Sequence, residues 1–151
     1  MKILIDTNEK QPWLFAAYDV ETALKNMNTG DYTIEGMEKL LCIERKASVA
    51  EVASNITKPR FINELERMCD FQYRYLILEF DYRHIDDFPE GAGIPSYLKN
   101  KIKVKSPFII KSLSKIMTKY NIHIIPCSNR IYAEHVAYSI MKETYECYRK
   151  S

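Results

Sequence analysis

The stretch from Gly30 to Lys46, GDYTIEGMEKLLCIERK, carries Asp31 on one short segment and Glu44 on another, and it ends in a Glu-x-Lys triplet. Cutting a phosphodiester with water requires a nucleophile available near neutral pH and something to absorb charge on the non-bridging and leaving oxygens. Mg²⁺ supplies both when one or two carboxylates hold it and leave room for water and phosphate. Asp31 and Glu44 are the candidate ligands. Glu9 is the natural third carboxylate, and Asp6 stands close behind it as a supporting group. Lys46, two residues past Glu44, falls on the same strand face, where it can orient the nucleophile or neutralise the phosphate. Arg45 should point to the other face, which suits a supporting role. No nucleotide cofactor is expected.

A bland account competes with this one. Charged residues make up 28% of the chain, so such triplets arise by chance, and clustered carboxylates can simply be a solvated hairpin. Against it stands the order of residues: three charges directly follow the apolar Leu40-Leu41-Cys42-Ile43. A strand that carries charge at its buried end needs a partner for that charge, and a cation is one such partner.

The elements that must position these residues can be taken in order. Lys2 to Asp6 reads as a core strand that delivers Asp6 and then Glu9 at its end. Trp13 to Ala17 reads as a helical turn or a loop packed on the sheet, and Tyr18 to Met27 suits either a strand or a helix. Asp31 to Ile34 and Lys39 to Lys46 read as the arms of a hairpin reversing near Met37, which sets Asp31 roughly opposite Glu44. Helices follow, one with Ser48 as N-cap and one with Phe61, Leu65 and Met68 inward. Tyr75 to Leu78 is a continuous apolar run, as in a strand covered on both faces. Asp81 to Tyr97, rich in Pro and Gly, reads as a long surface loop. Ser106-Pro107 signals a helix start with Ser106 as the cap, Ile122 to Ile125 a short strand, and Ser128 or Asn129 the cap of a last helix. Strands interleaved with helices imply an α/β domain with a central mixed sheet covered on its faces.

With 151 residues the chain is most simply one domain. No run approaches a membrane span and the N-terminus lacks a signal-peptide pattern, so a soluble cytoplasmic protein is expected. Cys42, Cys69, Cys127 and Cys147 lack metal-site spacing and lie in apolar-periodic segments, which suits buried thiols. Net charge is only +2, but Gly91 to Ala133 contains no acid and holds Lys99, Lys101, Lys103, Lys105 and Lys111, among others. A positive face beside an acidic site is what a protein handling a polyanion needs.

Gly30-Asp31-Tyr32 followed by Ile43-Glu44-Arg45-Lys46 resembles the GDx(n)ERKx₃D motif of the XPF-type structure-specific endonucleases, a branch of the PD-(D/E)xK restriction-endonuclease-like fold. Ile5 to Glu9 is similar to that family's opening strand, and Arg60-Phe61, Glu64 and Arg67 to one of its helices. The resemblance implies that Glu9, Asp31 and Glu44 are metal ligands, Lys46 the catalytic lysine and Arg45 a supporting residue, with Arg60 and Arg67 joining the lysines in DNA binding. It implies Mg²⁺- or Mn²⁺-dependent cleavage of branched, flap or junction DNA in repair, recombination or processing. The expected organisation is a single nuclease domain over residues 1–151 with no helicase and no helix-hairpin-helix module. Either the Lys99 to Lys119 segment carries DNA binding alone, or a second copy or a partner protein helps. The motif's last Asp is Ala50 here, with Glu51 beside it. Either Glu51 substitutes, or the chain is a DNA-binding module of the same fold with weak or absent turnover.

Overall fold

A computed structural model describes residues 1–150. Six strands form one sheet: β1 (Lys2–Asp6), β2 (Glu21–Lys25), β3 (Tyr32–Ile34), β4 (Leu41–Lys46), β5 (Tyr73–Leu78) and β6 (His123–Pro126). Their spatial order is β2-β1-β3-β4-β5-β6. The β1–β3 and β3–β4 pairs are antiparallel and the other three are parallel. The expected mixed α/β sheet is therefore present. The ambiguous segment before Met27 resolves to a strand, β2, which pairs only with β1 at the sheet edge.

Two apolar layers cover the sheet, and alternation along β4 and β5 shows how. Ile43 and Ile77 enter the layer under α6 (Arg130–Arg149), with Ala133, Ala137 and Met141. Cys42, Leu76 and Leu78 enter the opposite layer. That layer is formed by α1 (Val49–Asn55), α2 (Pro59–Met68), α3 (Tyr82–Asp86) and α5 (Ser106–Tyr120). The period of two thus assigns Glu44 and Lys46 to the α1–α2 side and Arg45 to the α6 side. Trp13 and Phe15 lie in a loop rather than a helical turn. They fill the α6 layer, with the Trp13 ring stacked on Tyr32 at 4.7 Å between centroids.

Several sequence expectations need correction. The stretch Asp81 to Tyr97 is not wholly loop: it contains α3 and the start of α4 (Ser96–Lys99). His84 Nδ1 accepts from the Asp81 backbone N–H at 3.0 Å, which caps α3 from within. Ser106 is the first helical residue of α5, and Lys105 takes the N-cap position without a side-chain bond. Cys69 and Cys147 are exposed, whereas Cys42 and Cys127 are buried as expected. Asn129, not Ser128, caps α6, its side chain accepting from the Tyr132 N–H. Among the described residues no helix is long and apolar enough to cross a membrane.

Candidate active site

The site begins at Gly30. Its φ of +78° belongs to the left-handed region, and a Cβ there would meet Cys42 Sγ at 2.5 Å, so only glycine suits the turn. The Gly30 N–H donates to Glu64 Oε1 at 2.7 Å, and Arg67 binds both Glu64 and, at 3.2 Å, the Thr29 hydroxyl. Helix α2 thereby holds the turn that precedes Asp31. The Asp31 N–H donates to the Ile43 carbonyl, and Tyr32 pairs with Ile43. This register sets Asp31 beside Glu44, as the hairpin reading expects. On the other side the Asp6 N–H donates to the Asp31 carbonyl at 2.8 Å. Asp6 at the end of β1, Asp31 just before β3 and Glu44 in β4 therefore stand in a row.

A cavity of about 560 Å³ opens over this row, and its walls include Asp6, Glu9, Asp31, Glu44 and Lys46. Glu44 and Lys46 are buried and Asp31 half-buried. The Lys46 ammonium donates to Glu44 Oε1 at 3.1 Å, lies 3.6 Å from Glu51 Oε1, and sits 4.9 Å from the centre of the Phe61 ring. Burial alone would lower the Lys46 pKa, but the Glu44 and Glu51 charges outweigh it and hold the ammonium protonated. Burial raises the Asp31 carboxyl well above its ordinary range, and the charges of Glu44 and Glu9 push it further. Burial likewise raises Glu44, against the pull of Lys46.

Crowded carboxylates raised in this way are a donor set that a cation would relieve, so hard oxygen ligands at Asp31 and Glu44 fit a divalent metal. Glu9 behaves differently. It lines the cavity, but both its oxygens accept from Arg45, Oε2 from Nε at 3.0 Å and Oε1 from NH2 at 2.8 Å. Arg45 outweighs burial and lowers the Glu9 pKa. Among the described residues no group of three or more acid, His or Cys side chains adopts metal-ligating geometry. The arrangement thus brings Asp31 and Glu44 together and leaves Glu9 with Arg45.

Arg45 holds the site from behind. Its backbone N–H donates to Asp31 Oδ2 at 2.8 Å, and its NH1 donates to Glu79 Oε1 at 3.1 Å. Glu79 also accepts from the Trp13 indole at 2.7 Å, and Arg130 approaches it at 3.7 Å. Glu51 occupies the third position of α1, where its N–H donates to Ser48 Oγ and its Oε2 accepts from the Ala47 N–H. That box turns Glu51 toward Lys46, while Ala50 packs against the apolar layer.

The ERCC4 domain model matches residues 5–140. The chain belongs to this family. Sequence comparison with curated proteins finds no match. Among solved structures, the ERCC4 domain described here is similar to XPF from Aeropyrum pernix, with a TM-score of 0.72 at 14% identity, over 99% of this chain and 69% of that one. It is also similar to the complex of XPF from Aeropyrum pernix with DNA, with a TM-score of 0.70 at 14% identity, over 96% of this chain and 65% of that one. The chain thus spans about two thirds of the length of each. The fold is that of the XPF nuclease domain.

The basic residues of this ERCC4 domain divide into groups. Arg60 and Arg67 line the cavity, together with Lys58, which the sequence reading did not single out. Lys111 lines a separate groove between α2 and α5. Lys99 is paired with Glu90 at 2.6 Å, and Lys99, Lys101, Lys103 and Lys105 line neither the cavity nor the groove. Glu64 and Glu79, each of which holds a site residue in place, were also missed as site residues. Glu64 carried a signal, three residues before Arg67 on a helix, whereas Glu79, the residue just past β5, was marked only as a charge flanking an apolar run.

Proposed function

We propose that this ERCC4 domain is a divalent-metal-dependent DNA endonuclease acting on branched, flap or junction DNA. The observation that carries the reading is the buried Lys46 ammonium, held by Glu44 and Glu51 in the same cavity that Asp31 enters and Arg60 and Arg67 line. Asp31 and Glu44 would hold Mg²⁺ or Mn²⁺, which supplies a Lewis acid and an activated water at a phosphodiester. Arg60 and Arg67, with Lys58, draw the phosphate backbone to the cavity mouth. Lys46 has three N–H donors and spends one on Glu44. Another can be given to a non-bridging phosphate oxygen as negative charge builds there. As an ammonium it stabilises charge rather than accepting a proton. Arg45 fixes Asp31 through its backbone N–H and pairs with both oxygens of Glu9.

DNA binding in the XPF complex from Aeropyrum pernix supports DNA as the substrate. Ala50 favours one rival, a module of the same fold that binds DNA without turnover. The test is a panel of single strands, duplexes, flaps, forks and four-way junctions incubated with Mg²⁺ or Mn²⁺. Nicking of branched DNA is expected, and Glu44→Gln or Lys46→Ala should abolish it while DNA binding survives. Wild-type nicking by both variants would overturn the assigned chemistry. Binding without cleavage by the unaltered protein in either metal would establish the rival.

A further inference from the structure

Beside the cavity, α2 and α5 leave a groove of about 420 Å³ whose lining contains no Asp or Glu. Its lining is largely apolar and includes Ile62 and the ring of Phe108, a phenylalanine 46% exposed. One rim is cationic: Lys111, Lys115 and Lys119 recur every fourth residue along α5, all exposed. Successive ammonium groups therefore stand on one helix face with a rise of about 6 Å per step, comparable with the spacing of phosphates along an extended strand. Phe61 lines both the groove and the cavity, and its ring is the one that contacts Lys46. The groove and the cavity thus share Phe61 as a common wall, which puts an occupant of the groove next to the proposed cleavage centre.

We infer that this groove binds a single-stranded stretch of DNA, with bases against Phe108 and Ile62 and phosphates along Lys111, Lys115 and Lys119. A duplex keeps its base faces inside the stack and offers nothing to an apolar lining. A single strand offers π faces and phosphates at once, which is the pairing of aromatic platform and basic rim that unpaired nucleic acid needs. An acidic peptide would satisfy the lysines but not the exposed ring. The inference rests on the endonuclease reading only for the choice of DNA. It gives that reading a reason to prefer flaps and forks, because the unpaired arm has a bed next to Lys46.

The experiment is fluorescence anisotropy in metal-free buffer, with a labelled oligothymidylate of about twelve nucleotides and a duplex of equal length. Phe108→Ala should weaken oligothymidylate binding about tenfold, a typical cost of losing one stacking platform, and Phe108→Tyr should restore it. Duplex binding should be unchanged in both. The double variant Lys111→Gln/Lys115→Gln should reduce the salt slope for the single strand by about 1.4. Unaltered oligothymidylate binding by Phe108→Ala, an equal loss for duplex, or displacement by polyglutamate as readily as by unlabelled oligothymidylate would each overturn the inference. Because no metal is present, these outcomes are separate from cleavage. Groove binding with no nicking in any metal would sink the endonuclease reading alone.

Discussion

The Arg45 guanidinium lies between Glu9 and Glu79, and all three side chains are less than a tenth exposed. A buried pair is weak evidence of net stabilisation, but removing one partner strands the others. Arg45→Met would leave the Glu9 carboxylate without its cation, and Glu79 with only the Trp13 indole and the more distant Arg130, and should cost about 3–5 kcal/mol, read as a fall in the urea midpoint. Arg45→Lys keeps the charge but not the planar fork that serves both Glu9 oxygens, so it should fall between wild type and Arg45→Met. A midpoint unchanged in Arg45→Met would show that water already relieves the cluster. The placement of Arg45 on the far face of β4 was legible, because strand alternation leaves no other choice. Its partners were not. Glu9 is 36 residues away and Glu79 is 34, and only closure of the sheet brings them together. The same limit explains Glu9: sequence places it near the site but cannot tell that Arg45 will claim both its oxygens.

At the scale of elements, the strands that carry the site were the most legible part, since β1, β4 and β5 each contain a short apolar run with charges gathered toward an end. The edge strand β2 and the short helices α3 and α4 were not. Four or five residues hold no periodicity of their own, and such helices form only where tertiary contacts favour them. Helix α1 was legible as a helix, and the structure adds that its first turn sets Glu51 on Lys46. Capping and chemistry can be separated there. Glu51→Gln retains an oxygen for the Ala47 N–H but removes the charge facing Lys46. It should melt within about 0.5 kcal/mol of wild type and cleave more slowly. Ser48→Ala should do the reverse, losing about 1 kcal/mol of stability with cleavage retained below the melting transition. If Glu51→Gln cleaves as well as wild type, Glu51 is only a cap and does not replace the carboxylate missing at Ala50.

Over the whole molecule a net charge of +2 would attract DNA weakly, so binding must depend on where the charges lie. The acid-free run from Gly91 to Ala133 was visible in sequence as one basic block, but the fold splits it. Lys111 faces the α2–α5 groove, whereas Lys101 and Lys103 are exposed outside both the groove and the cavity. Arg60 comes from a different stretch of chain and lines the cavity itself. These positions predict different salt responses for a duplex. Arg60→Gln would remove the proposed phosphate contact at the cavity and should lower the slope of log affinity against log salt by about 0.9. The pair Lys101→Gln/Lys103→Gln has the larger change in net charge but should leave the slope nearly unaltered. Titrations of one duplex at several salt concentrations would decide. A fall of about 1.8 for the lysine pair would mean that DNA extends across that segment, and the cavity mouth would then be one end of a longer track rather than its centre.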